Sequence, residues 1–102
     1  MTVALLSRRA RGDVVSAVRW IADDNPTAAQ AFRQAVGRVA ALIGEHPRIG
    51  RVRPDLADAA YRFLGLTGFP YIVVYNAERR PPLIMRVLHG ARDLPELLRD
   101  LS

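Results

Sequence analysis

Two arginines, a histidine and an aspartate fall between Arg86 and Asp93, in the stretch Leu83-Ile-Met-Arg-Val-Leu-His-Gly-Ala-Arg-Asp93. An imidazole titrates near neutral pH and can take or give a proton. A guanidinium presents a planar fork that matches phosphates and carboxylates. With Arg62, these residues supply an inventory for RNA cleavage by 2′-hydroxyl attack: His89 as base or acid, and Arg62, Arg86 or Arg92 on the phosphate. They equally suit a surface that grips a protein partner. A third reading is structural. His89 then ends a strand and bonds a backbone carbonyl in the Gly90 turn, Asp93 caps a helix, and Arg92 pairs with Asp93 or Glu96.

The bulk composition narrows the chemistry. A chain of 102 residues forms one domain, 1–102, by its length. Half of it is apolar and 25% is charged, an ordinary globular balance. Cysteine is absent, which excludes a disulfide framework, a thiolate metal site and a cysteine nucleophile, and fits a reducing cytoplasm. His46 has no companions at metal-ligand spacing, so neither metal nor cofactor is expected. Val3 to Leu6 is too short for a signal peptide, and its arginines lie on the wrong side. No apolar run approaches membrane-spanning length, so no membrane contact is expected. The net charge is +5, and all 15 basic residues are arginine. No ammonium group is present to act as a general base. The positive balance permits an acidic partner or nucleic acid without requiring either.

The elements that must position these residues follow from periodicity. Thr2 to Ser7 predicts a short strand, with Ser7 as the N-cap of a helix over about 8–24. Val14, Val18 and Ile21 repeat there at helical spacing, widened by Ala17 and a half-buried Trp20. Asn25-Pro26 is a cap followed by a first-turn proline. It opens a second helix to about Ile43, with Phe32, Val36 and Val39 on one face and Gly44 just past its end. So short a link makes the helices an antiparallel hairpin. His46 to Asp58 is expected to be irregular, its arginines 48, 51 and 53 forming a loose basic loop. Residues 61–66, 71–75 and 83–88 then alternate as strands of a meander. Tyr71, Val73 and Tyr75 share its core face. Asp93 and Glu96 have the layout of a capping box for a short C-terminal helix carrying Leu97, Leu98 and Leu101. The fold class is α+β: an N-terminal strand, a helical hairpin on an antiparallel sheet and a short last helix.

Several of these pieces, in this order, resemble ParE-type toxins of the RelE/ParE toxin–antitoxin superfamily. They are Asn25-Pro26-x-Ala28-Ala29, the Pro47-x-x-Gly50 turn, Arg62-Phe63, Phe69-Pro70-Tyr71-x-Val73-x-Tyr75, and Arg86-Val-Leu-His89-Gly90-Ala-Arg92-Asp93. The resemblance implies the same fold. It also implies a toxin that binds DNA gyrase without being an enzyme, neutralised by a ParD-like antitoxin encoded beside it. RelE-type relatives instead cleave mRNA on the ribosome. Those enzymes use lysines and often a C-terminal aromatic, and this chain has neither.

Strand alternation places Arg86 with Ile84 and Leu88, and Arg62 with Leu64 and Leu66. If both faces are the open one, the arginines sit among aliphatic side chains that an antitoxin segment would cover. The partner-binding set is then Arg62, Arg86, His89 and Arg92, with Leu97, Leu98 and Leu101. A cytoplasmic gyrase-binding toxin is the reading that follows. A ribosome-dependent endonuclease using His89, Arg62, Arg86 and Arg92 is the alternative, and a non-toxic interaction domain is the third.

Overall fold

A computed structural model describes residues 2–94. Strand β1 (Leu5–Leu6) leads into α1 (Arg8–Asp24) and α2 (Pro26–Glu45). Four strands follow: β2 (Arg51–Val52), β3 (Tyr61–Gly65), β4 (Tyr71–Asn76) and β5 (Leu83–His89). Together they form an α+β fold with two helices on one five-stranded sheet of order β1-β5-β4-β3-β2.

The helix boundaries follow from their caps. The Ser7 hydroxyl accepts from the Ala10 amide at 3.1 Å and donates to the Met85 carbonyl at 3.0 Å, so one side chain starts α1 and fastens it to β5. Asn25 is the only residue between the helices. Its amide donates to the Ile21 carbonyl, ending α1, and its side chain accepts from the Ala28 amide, starting α2. Helix α2 runs two residues past the expected stop. Gly44 lies inside it, and its missing side chain serves packing. A Cβ there would run into the Thr2 carbonyl and, at 2.7 Å, the Val3 Cα. The chain is stopped instead at His46, whose amide donates to the Leu42 carbonyl.

The sheet is mixed rather than wholly antiparallel. β1 pairs parallel with β5, while β5-β4-β3 is the expected meander. Part of the segment expected to be irregular pairs as β2, with Arg51 opposite Phe63. The face under the helices carries Tyr71, Val73, Tyr75, Ile84 and Val87, packed on Phe32, Ile43 and the alanines Ala10, Ala17, Ala35 and Ala40. The alanines let helices and sheet approach closely. The opposite face is covered in part: Phe63, Val74 and Leu88 form a second cluster with Ala57, flanked by Leu56 and Leu94.

A bulge corrects the alternation expected for β5. Val74 opposes Arg86 and Tyr75 opposes Ile84, which leaves Met85 as the extra residue. Ile84 therefore belongs to the helix-side core and Leu88 to the other cluster, and Arg86 does not share one face with both. Leu97, Leu98, Leu101 and Glu96, with the expected C-terminal helix, lie outside the described residues.

Candidate functional site

The predicted site residues separate into three arrangements. The first is a clasp on the Pro47–Gly50 turn. Tyr75 reaches from the centre of the sheet, its hydroxyl donating to the Pro47 carbonyl at 2.7 Å and accepting from the Gly50 amide at 2.9 Å. Arg62 donates to the Arg48 and Gly50 carbonyls at 3.1 and 2.8 Å. Gly50 is required by this proximity, since a Cβ would lie 2.9 Å from the Tyr75 ring. Burial pushes the Tyr75 phenol up from its ordinary pKa, opposed by the Gly50 amide and the Arg62 charge. Arg62 sits opposite Tyr75, so it lies at the margin of the helix-covered face rather than on the open face.

The second arrangement seals the side of β5 that β1 is too short to cover. Asp13 of α1 accepts from the Val87 backbone amide at 3.0 Å. It also takes both prongs of Arg86, at 2.8 and 3.1 Å. Each side chain is only 16% exposed. Arg86 is thus held to the helix hairpin, which excludes the exposed sheet-face position expected for it.

The third arrangement is the turn after β5. His89 lies opposite Tyr71 on β4, the two rings 5.4 Å apart and edge to face. Its Nδ1 accepts from the Arg92 amide at 3.2 Å, so it bonds a backbone donor and not the expected carbonyl. Asp93 turns back to accept from the His89 amide at 3.1 Å and from the Arg92 guanidinium at 3.0 Å. Arg92, followed by the His89 amide, holds the Asp93 carboxyl below its ordinary range against the effect of burial. Asp93 in turn raises the Arg92 pKa. The guanidinium stands 5.6 Å from the centre of the Trp20 ring, a cation–π distance. Trp20 is 65% exposed, not half-buried.

Between α1 and this turn lies a cavity of about 200 Å³ lined by Asp13, Ser16, Trp20, Tyr71, Arg92 and Asp93. The Tyr71 hydroxyl is buried there without a hydrogen-bond partner among the described residues, with the Arg92 guanidinium close enough to interact with it. A larger cavity of about 830 Å³ lies at the other end of β4, beside Arg48, Arg62 and Arg80. Arg62 and His89 oppose Tyr75 and Tyr71 on the two flanks of β4, about 13 Å apart along the strand. The four residues of the nuclease inventory are therefore not gathered in one place.

Asp13, Ser16 and Trp20 were absent from the sequence-based site. A signal for Asp13 existed. Ala10, Asp13, Ala17 and Trp20 recur at helical spacing, so an acid falls on a stripe that is otherwise apolar. A carboxylate at such a position demands a partner, which Arg86 supplies.

No group of His, Asp and Glu among the described residues forms a metal site, and no helix there is long and apolar enough to cross a membrane. No curated protein matches the sequence. Among solved structures, a chain of the chromosomal ParDE toxin–antitoxin system from P. aeruginosa shares the fold, with a TM-score of 0.70 at 18% identity. The match covers 87% of this chain and 96% of that one. A family model, the ParE toxin of the parDE type II toxin–antitoxin system, matches residues 4–94. With that match spanning nearly the whole molecule, the chain belongs to the ParE toxin family and is the toxin component of a type II toxin–antitoxin system.

Proposed function

We propose that this toxin acts by binding DNA gyrase and stalling it on cleaved DNA, and that a ParD-like antitoxin encoded beside it blocks the same action. The observation that carries a binding rather than a catalytic role is the commitment of the arginines. Arg62 holds loop carbonyls, Arg86 holds Asp13, and Arg92 holds Asp93. A phosphate clamp built from Arg62 and Arg86 would have to break these contacts. His89 offers Nδ1 to a backbone amide, and its distance from Arg62 leaves no shared centre for acid–base work on one phosphodiester. The cytoplasmic location follows from the target. His89, Arg92 and the neighbouring cleft remain the surface we assign to protein partners, and Leu97, Leu98 and Leu101 belong to the same proposal.

Purified toxin added to gyrase and supercoiled plasmid is expected to accumulate linear, protein-linked DNA. The same toxin added to translating ribosomes is expected to leave the mRNA intact. Codon-linked mRNA cleavage that disappears in His89→Ala would overturn this reading in favour of the endonuclease. Silence in both assays, with tight binding to the product of a neighbouring gene, would identify an interaction domain without toxicity.

A further inference from the structure

Tyr71 combines a core ring with an unanswered hydroxyl. The residue is 4% exposed, and its ring packs edge to face on Phe32 and His89. Its hydroxyl has no hydrogen-bond partner among the described residues at the 200 Å³ cavity. The two carboxylates at that cavity are each already supplied with donors. The Asp13 oxygens take Arg86 and the Val87 amide, and the Asp93 oxygens take Arg92 and the His89 amide. Arg92 reaches Asp93 through Nε and Nη2, which leaves Nη1 outside that pair. Two donors thus converge on this space, beside the Ser16 hydroxyl.

We propose that this cavity receives a carboxylate carried on a side chain of a protein partner. Its oxygens accept from the Tyr71 hydroxyl and from Arg92 Nη1, and its short apolar stem lies against the exposed Trp20 indole. The cavity suits a side chain rather than a drug-sized ligand, because sites for the latter span about 300–1,000 Å³ and this one is smaller. An exposed tryptophan at the rim is the kind of residue that protein interfaces favour. The assignment rests on the reading of the chain as a protein-binding toxin and names the chemistry by which one partner is recognised.

Trp20 is the sole tryptophan, so its indole N–H resonance reports on the cavity without ambiguity. The whole chain is titrated with butyrate, butyramide, butylammonium and a blocked peptide bearing one central glutamate. Butyrate is expected to shift the Trp20 signal saturably, butyramide to bind about tenfold more weakly, and butylammonium not to bind. Tyr71→Phe, which removes a hydroxyl that bonds nothing among the described residues, keeps the fold and weakens butyrate about tenfold, the effect of one hydrogen bond to a charged group. Arg92→Gln weakens it as well. The peptide is expected to bind at least as tightly as butyrate. No saturable shift, equal binding of butylammonium, or unchanged affinity in Tyr71→Phe would overturn the proposal. Binding of butyrate with exclusion of the peptide would assign the cavity to a free small acid and overturn the protein source. These titrations use the toxin alone, so they remain decisive even if gyrase is not inhibited.

Discussion

The polar residues that look most reactive in this chain are mostly occupied in holding backbone. Tyr75 shows the energetic weight of that work. Its hydroxyl satisfies both the Pro47 carbonyl and the buried Gly50 amide. Tyr75→Phe leaves the amide without an acceptor, and the expected loss is about 2 kcal/mol in urea denaturation. Faster hydrogen exchange confined to the Gly50 turn would separate this local effect from general loosening. Asp93 gives a pH-dependent counterpart. Its carboxyl is lowered below the ordinary 3.8 by Arg92 and the His89 amide. A group with a depressed folded pKa stabilises the fold above its unfolded value and loses that stability as the pH falls through the folded one. Wild-type protein should therefore lose stability below about pH 4 more steeply than Asp93→Asn. Coincident curves down to pH 2 would show that the turn contributes nothing. The sequence made Arg92 a choice between pairing and freedom. The structure chooses Asp93, because adjacent side chains in a tight turn meet without any long-range ordering.

At the level of elements, the legible parts were those with local causes. Ser7 and the Asn25-Pro26 pair mark helix boundaries because capping acts within three residues. The β4 strand was legible from its β-branched and aromatic run. The bulge at Met85, the pairing of β2 and the parallel pairing of β1 were not, since each depends on register between distant segments. The bulge carried Ile84 to the helix side and left Arg86 opposite Val74, from where its side chain reaches Asp13 on α1. The pair it makes there is open to test. Removing one member of a largely desolvated ion pair costs about 3 kcal/mol, while removing both costs less than the sum. Asp13→Ala should be the more damaging single change, because it also abandons the Val87 amide. A double-mutant cycle of Asp13→Ala with Arg86→Ala, followed by thermal unfolding, is expected to give a coupling of about 1–3 kcal/mol. Strict additivity would mean that the contact is incidental.

For the molecule as a whole, the arrangement of the sheet bears on what can join it. A strand with unpaired amides and carbonyls is a template on which another chain can build. The two outermost strands here, β1 and β2, are each two residues long. The stretch of β5 that β1 leaves bare is met by Ser7 at the Met85 carbonyl and by Asp13 at the Val87 amide. A helix N-terminus and a single carboxylate thus replace a covering strand, and the longest strand of the sheet offers no continuous ladder to a second copy. Among the described residues, the protection of this edge therefore rests on very few atoms. Asp13→Ala, whatever its effect on melting, should expose a β-pairing edge at Val87 and aggregate with rising concentration, whereas Asp13→Asn, whose side-chain oxygen can still accept from the Val87 amide, should not.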